Sequence, residues 1–84
     1  MMYEIVIERQ AAKQLALIPS PYFEKIAEAL KNLAVDPRPY GYKKLKGRHG
    51  YRYRVNNYRI IYNINDKILT VFIVDIGDRK NVYD

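Results

Sequence analysis

Arg52, Arg54 and Arg59 lie in a stretch where apolar residues recur every second position. Tyr51, Tyr53 and Val55 alternate with the first two arginines. Asn56-Asn57 then suits a two-residue hairpin turn, because Asn tolerates positive φ. Such a turn pairs Val55 with Tyr58, Arg54 with Arg59, and Tyr53 with Ile60. One face then carries Tyr51, Tyr53, Val55, Tyr58, Ile60, Tyr62 and Ile64. The other carries Arg52, Arg54 and Arg59. Like charges directly opposite one another weaken a sheet. A sequence that keeps them offers them to a ligand, and the planar guanidinium fork matches phosphate oxygens. The plainer alternative is that the arginines splay into solvent or pair with acids such as Asp75. The tail adds Arg79, Lys80 and Tyr83. A tyrosine moves protons near neutrality only if neighbouring cations lower its pKa from about 10. Otherwise Tyr83 merely packs on the core.

The wider charge pattern agrees. The chain carries 15 Lys and Arg against 9 Asp and Glu, a formal net charge of +6. Arg38, Lys43, Lys44, Lys46, Arg48, Arg52, Arg54 and Arg59 fall between Pro37 and Asn65 with no acid among them. A block of one sign points to a polyanion or an acidic protein as partner, with a solvated face as the alternative. The chain has no cysteine. This excludes disulfides, thiolate metal sites and a cysteine nucleophile, and it fits a reducing cytosol. His49, the one histidine, sits between Arg48 and Gly50 and cannot build a metal site alone. No cofactor is expected. Met1-Met2-Tyr3-Glu4 does not read as a signal peptide, and no apolar run is long enough to span a bilayer. The expected location is the cytoplasm.

These side chains need a scaffold, and 84 residues supply one domain, residues 1–84. Tyr3 to Glu8 predicts a strand with β-branched Ile5, Val6 and Ile7. Arg9 to Ile18 predicts a helix that Pro19 ends. Ser20 is placed to cap a second helix, with Pro21 at its first position and Glu24 near its positive end. Phe23, Ile26, Leu30 and Leu33 recur at helical spacing, and Asp36-Pro37-Arg38-Pro39 stops them. Tyr40 to Gly50 predicts a basic loop. Strands follow through Tyr51–Val55 and Tyr58–Ile64. After a turn at Asn65-Asp66-Lys67, a central strand runs from Ile68 to Ile76, ended by Gly77. The fold class is α+β: an N-terminal strand, a two-helix hairpin, then a three-stranded antiparallel meander in one sheet.

In this order the residues resemble the RelE/ParE toxin superfamily over essentially the whole chain. The resemblance rests on Ala11-Ala12-Lys13-Gln14-Leu15, on residues 32–39 and on Lys44-Leu45-Lys46-Gly47. It is most specific in residues 51–62 and closes with residues 76–83. It implies a metal-independent endoribonuclease, an mRNA interferase acting in the ribosomal A site and inhibiting translation. By position it implies that Arg52, Arg54, Arg59, Arg79 and Tyr83 form the site. Arg54, Arg59 and Arg79 would clamp the phosphate, Tyr83 would transfer a proton, and Arg52 would hold the backbone. Lys44, Lys46 and Arg48 are further expected RNA contacts. The implied partners are an acidic antitoxin, mRNA on the ribosome with ribosomal RNA contacts, and a higher-order toxin–antitoxin complex. Many members carry His before the tail Arg, where this chain has Asp78. The general base therefore stays open among Tyr83, Asp75 and Asp78. A ParE-like member, which binds and inhibits DNA gyrase without nuclease chemistry, is the alternative. A plain RNA-binding module is disfavoured, because Tyr and Arg fall on opposite faces.

Overall fold

The computed structural model describes residues 2–78. The elements are β1 (Glu4–Ile7), α1 (Arg9–Ala16), α2 (Tyr22–Val35), β2 (Lys43–Lys44), β3 (Tyr51–Val55), β4 (Tyr58–Asn65) and β5 (Thr70–Asp78). The strands form one sheet in the order β1-β5-β4-β3-β2. β1 lies parallel to β5, and the other pairs are antiparallel. The α+β class, the helical pair and the meander agree with the sequence reading. The difference is β2, a two-residue strand inside the expected loop, where Lys43 and Lys44 pair with Arg52 and Tyr51.

The core lies between the helices and one sheet face. Ala11, Ile26 and Leu33 from the helices meet Ile60, Tyr62, Val71, Ile73 and Ile76 from the sheet, all at most 1% exposed. Burying each large aliphatic or aromatic side chain contributes about 1.5–3 kcal/mol. The Tyr62 hydroxyl enters this core without loss, because it donates to the Pro37 carbonyl at 2.8 Å. Phe23 departs from the expected spacing. It is exposed, and Ala29 and Ala34 are buried with Ile26, Leu30 and Leu33 instead. Pro19 also acts earlier than expected. α1 ends at Ala16, and the N–H groups of Leu17 and Ile18 donate to Gln14 and Leu15 in a tightened last turn. Ser20 does not cap the α2 backbone; its hydroxyl donates to the Glu24 carboxylate at 2.8 Å.

The two hairpins behave differently. Between β3 and β4 the expected register holds: Val55 pairs with Tyr58, Arg54 with Arg59, and Tyr53 with Ile60. Asn56 takes φ 56°. Between β4 and β5 the register shifts: Ile61 pairs with Asp75 but Tyr62 with Ile73, so Val74 is an extra residue. This bulge makes alternation fail on β5, and the strand runs on through Gly77 to Asp78.

Candidate functional site

The sheet face turned away from the helices carries the arginines. The Arg54–Arg59 pair is continued on β5 by Gly77, the cross-strand partner of Arg59. A glycine puts no side chain beside that guanidinium. Arg59 is buried at 9% exposure and Arg54 is exposed. The next row across the same face runs Lys43, Arg52, Ile61. The sheet therefore holds Arg52, Arg54 and Arg59 together, two residues apart along β3 and directly opposed across the hairpin.

The basic loop is fastened beside them by an apolar anchor. Leu45, 5% exposed, packs on Ile61 and Val74, the only apolar cluster on this face among the described residues. The Leu45 N–H donates to the Gly50 carbonyl at 3.0 Å and closes the loop at its base. Gly50 is there for two reasons. Its φ is +117°, and a Cβ would stand 3.0 Å from Asn63 Oδ1 and 3.1 Å from the Tyr62 carbonyl. Lys43, Lys44, Leu45, Lys46 and Arg52 then line a hollow of about 310 Å³. Lys44 and Lys46 are thus brought to the same hollow as Arg52. Arg48 and His49 lie exposed on the loop, outside that hollow. Such a surface can hold consecutive phosphates, several from Lys and at least one from the Arg fork.

Arg79 and Tyr83, the expected tail members of the site, lie outside the described residues. Asp75 is turned toward α1, where Gln10 Nε2 donates to its carboxylate at 3.4 Å. Asp78 stands across from Tyr58 at the end of β5. Among the described residues, no group of three or more His, Asp or Glu is arranged to hold a metal. No helix among them is long and apolar enough to cross a membrane.

Sequence reasoning missed the clasp that holds the loop's entry. Arg38 makes a two-pronged bond to Asp66, Nη1 to Oδ1 at 3.2 Å and Nη2 to Oδ2 at 2.9 Å. Tyr3 donates to the same Oδ1 at 2.6 Å. The Arg38 guanidinium also stands 6.0 Å from the centre of the Tyr51 ring. The bonds from Arg38 and Tyr3 hold the Asp66 carboxyl below the usual carboxylate range. The carboxylate in turn pushes the Tyr3 phenol up. A residue from β1's entry, one from the α2–β2 connection and one from the β4–β5 turn meet here. Their separation in sequence leaves no local signal.

Known proteins share this small α+β fold. The family model of the ParE toxin of type II toxin–antitoxin systems (parDE) matches residues 5–83. The chain belongs to this family, within the RelE/ParE toxin superfamily. No curated protein matches the sequence. Among solved structures, the chain is similar to one in the archaeal RelE–RelB complex from Pyrococcus horikoshii OT3. The identity is 28% and the TM-score 0.84, over 98% of this chain and 100% of that one. It is similar to one in the toxin–antitoxin complex RelBE2 from Mycobacterium tuberculosis, at 26% identity and TM-score 0.82, over 94% and 100%. A third is in the RelB–RelE complex from Methanococcus jannaschii, at 26% and 0.75, over 94% and 95%.

Proposed function

We propose that this one-domain toxin is a ribosome-dependent endoribonuclease that cuts mRNA in the A site. The observation that carries the reading is the direct opposition of Arg54 and Arg59 on a face that also holds Lys43 and Arg52, with Lys44 and Lys46 lining the hollow at its edge. In the proposed step the 2′-oxygen of one nucleotide attacks the adjacent phosphorus. The phosphorus–5′-oxygen bond breaks, leaving a cyclic phosphate and a free 5′-hydroxyl. The 2′-hydroxyl gives its proton to a base, and the departing oxygen gains one. Arg54, Arg59 and Arg79 neutralise the crowded phosphate and supply the charge that a metal supplies elsewhere. Tyr83 transfers a proton, Arg52 holds the backbone, and Lys44, Lys46 and Arg48 bind flanking phosphates or ribosomal RNA. The ribosome adds in-line positioning. The relatives crystallised with RelB support an antitoxin partner; in this reading it acts in the cytoplasm, is acidic enough to match the basic face, and forms a higher-order complex with the toxin.

The match to the ParE family favours a second reading, binding and inhibition of DNA gyrase without chemistry. Programmed ribosomes separate the two, with naked RNA and a gyrase supercoiling assay alongside. The first reading expects A-site cleavage that falls by orders of magnitude in Arg79→Ala and Tyr83→Phe. Blocked supercoiling without any cleavage would overturn it.

A further inference from the structure

Of the tyrosines among the described residues, Tyr40 alone is exposed, and at 102% its side chain is fully open to solvent. The turn that carries it is nevertheless braced on both sides. The Tyr42 N–H donates to the Pro39 carbonyl at 3.0 Å, and Gly41 takes φ 94°. These features define a type II turn with Tyr40 at its first central position, and glycine fits the second without strain. Ahead of the turn, Arg38 is clasped to Asp66, and the Pro37 carbonyl accepts from Tyr62. Behind it, the Tyr42 ring centre lies 5.7 Å from that of Tyr51, which lies 5.9 Å from that of buried Tyr62. β2 then starts at Lys43, where pairing with Arg52 joins the chain to the sheet. A bulky ring is therefore held out on a rigid support, with only its two side-chain torsions left to fix on contact.

We infer that Tyr40 is a stacking platform for an unpaired RNA base, apart from the arginine site. This rests on the RNA reading above and adds a contact for a base where that reading has contacts for phosphates. The surroundings decide the occupant. The other seven exposed large apolar residues all lie outside residues 36–65. A lone ring gives a protein partner no apolar patch to bury. The charges that flank it in sequence are Arg38, Lys43 and Lys44, within the acid-free stretch from Pro37 to Asn65. Arg38 is engaged by Asp66, which leaves the two lysines. Lys43 follows Tyr40 by three residues, at most about 10 Å of extended chain. One nucleotide carries both a flat base and a phosphate, and it matches a ring followed by two lysines. Stacking on an aromatic ring tolerates every base, so the contact adds affinity without choosing a codon. The base belongs to ribosomal RNA or to the message, and the chemistry is the same for both.

The test is the affinity of full-length toxin for ribosomes, with the A site vacant or filled by mRNA. The A-site codon of that mRNA carries 2′-deoxyribose, which blocks the proposed cleavage. Tyr40→Phe keeps the ring and should bind within about 2-fold of wild type. Tyr40→Ala and Tyr40→Leu lose the π-face and should bind about 5- to 100-fold more weakly, with the thermal midpoint unchanged. The same loss with vacant and filled ribosomes assigns the base to ribosomal RNA; a loss only with mRNA present assigns it to the message. Tyr40→Ala that binds both as wild type does overturns the inference and spares the RNA reading; wild type that binds neither overturns both. Tyr40→Leu that matches wild type while Tyr40→Ala fails would put the ring in an apolar pocket of a protein, against the proposal. Antitoxin binding weakened by Tyr40→Ala, with ribosome binding intact, would give the ring to that partner and overturn it too.

Discussion

Removing one oxygen from the core should change how stability depends on pH. Tyr62 is fully buried, and its hydroxyl donates to the Pro37 carbonyl at 2.8 Å. In Tyr62→Phe that carbonyl keeps its burial and loses its donor, which costs about 1–2 kcal/mol at pH 7. Burial also holds the Tyr62 phenol well above its ordinary value in the folded chain. The unfolded phenol ionises near 10, so the wild-type advantage is complete below about pH 10 and shrinks as pH rises further. The limiting slope for one proton is ~1.4 kcal/mol per pH unit. The two proteins should therefore become equally stable near pH 11, because every other titrating group is common to both. Urea unfolding of both proteins from pH 7 to 11.5 gives the difference directly. A gap that stays constant with pH would refute the claim that the folded chain holds this phenol neutral. No gap at pH 7 would refute the hydrogen-bond account.

Three other outcomes follow from the geometry. Asp66 is held below the carboxylate range, so its clasp contributes stability above the unfolded pKa near 4 and loses it as pH falls below. Asp66→Asn should lower the melting temperature at pH 7 and flatten the acid limb between pH 5 and 2.5; an unchanged acid limb would count against the clasp. Gly50→Ala should cost about 1–3 kcal/mol in unfolding experiments, because φ is +117° and both close neighbours are oxygens on or beside β4. Leu45→Ala should cost about 2–3 kcal/mol, since the small cluster with Ile61 and Val74 relaxes more easily than the main core. It should also weaken RNA binding by releasing Lys43 to Arg48. Equal affinity in Leu45→Ala would show that the loop needs no anchor.

The hairpin from Tyr51 to Tyr62 was legible in the sequence because two local rules agree there. Alternation assigns the faces, and Asn56-Asn57 fixes the register. The same reasoning stopped at β5, where Val74 bulges and the face of Asp75 depends on one unpaired residue. Helix spacing located α2 but misjudged Phe23, because spacing finds a stripe and not the point where the sheet stops covering it. β2 has no signature in the sequence, because two lysines carry no strand signal of their own; pairing with Arg52 and Tyr51 makes the strand. The Arg38–Asp66–Tyr3 clasp was invisible because it joins three distant segments. The cationic face was legible as a list of residues. That Leu45 and Gly50 set the basic loop beside it needed the fold.

The most direct test of the central claim is single-turnover cleavage of ribosome-bound mRNA by wild type and Arg59→Lys, with binding measured in parallel. Arg59 is buried directly beside Arg54, where lysine keeps the charge and loses the planar fork. The account predicts cleavage reduced at least ~100-fold, with ribosome binding reduced far less. Undiminished cleavage, or equal loss of binding and cleavage, would contradict a catalytic role for the opposed arginine pair.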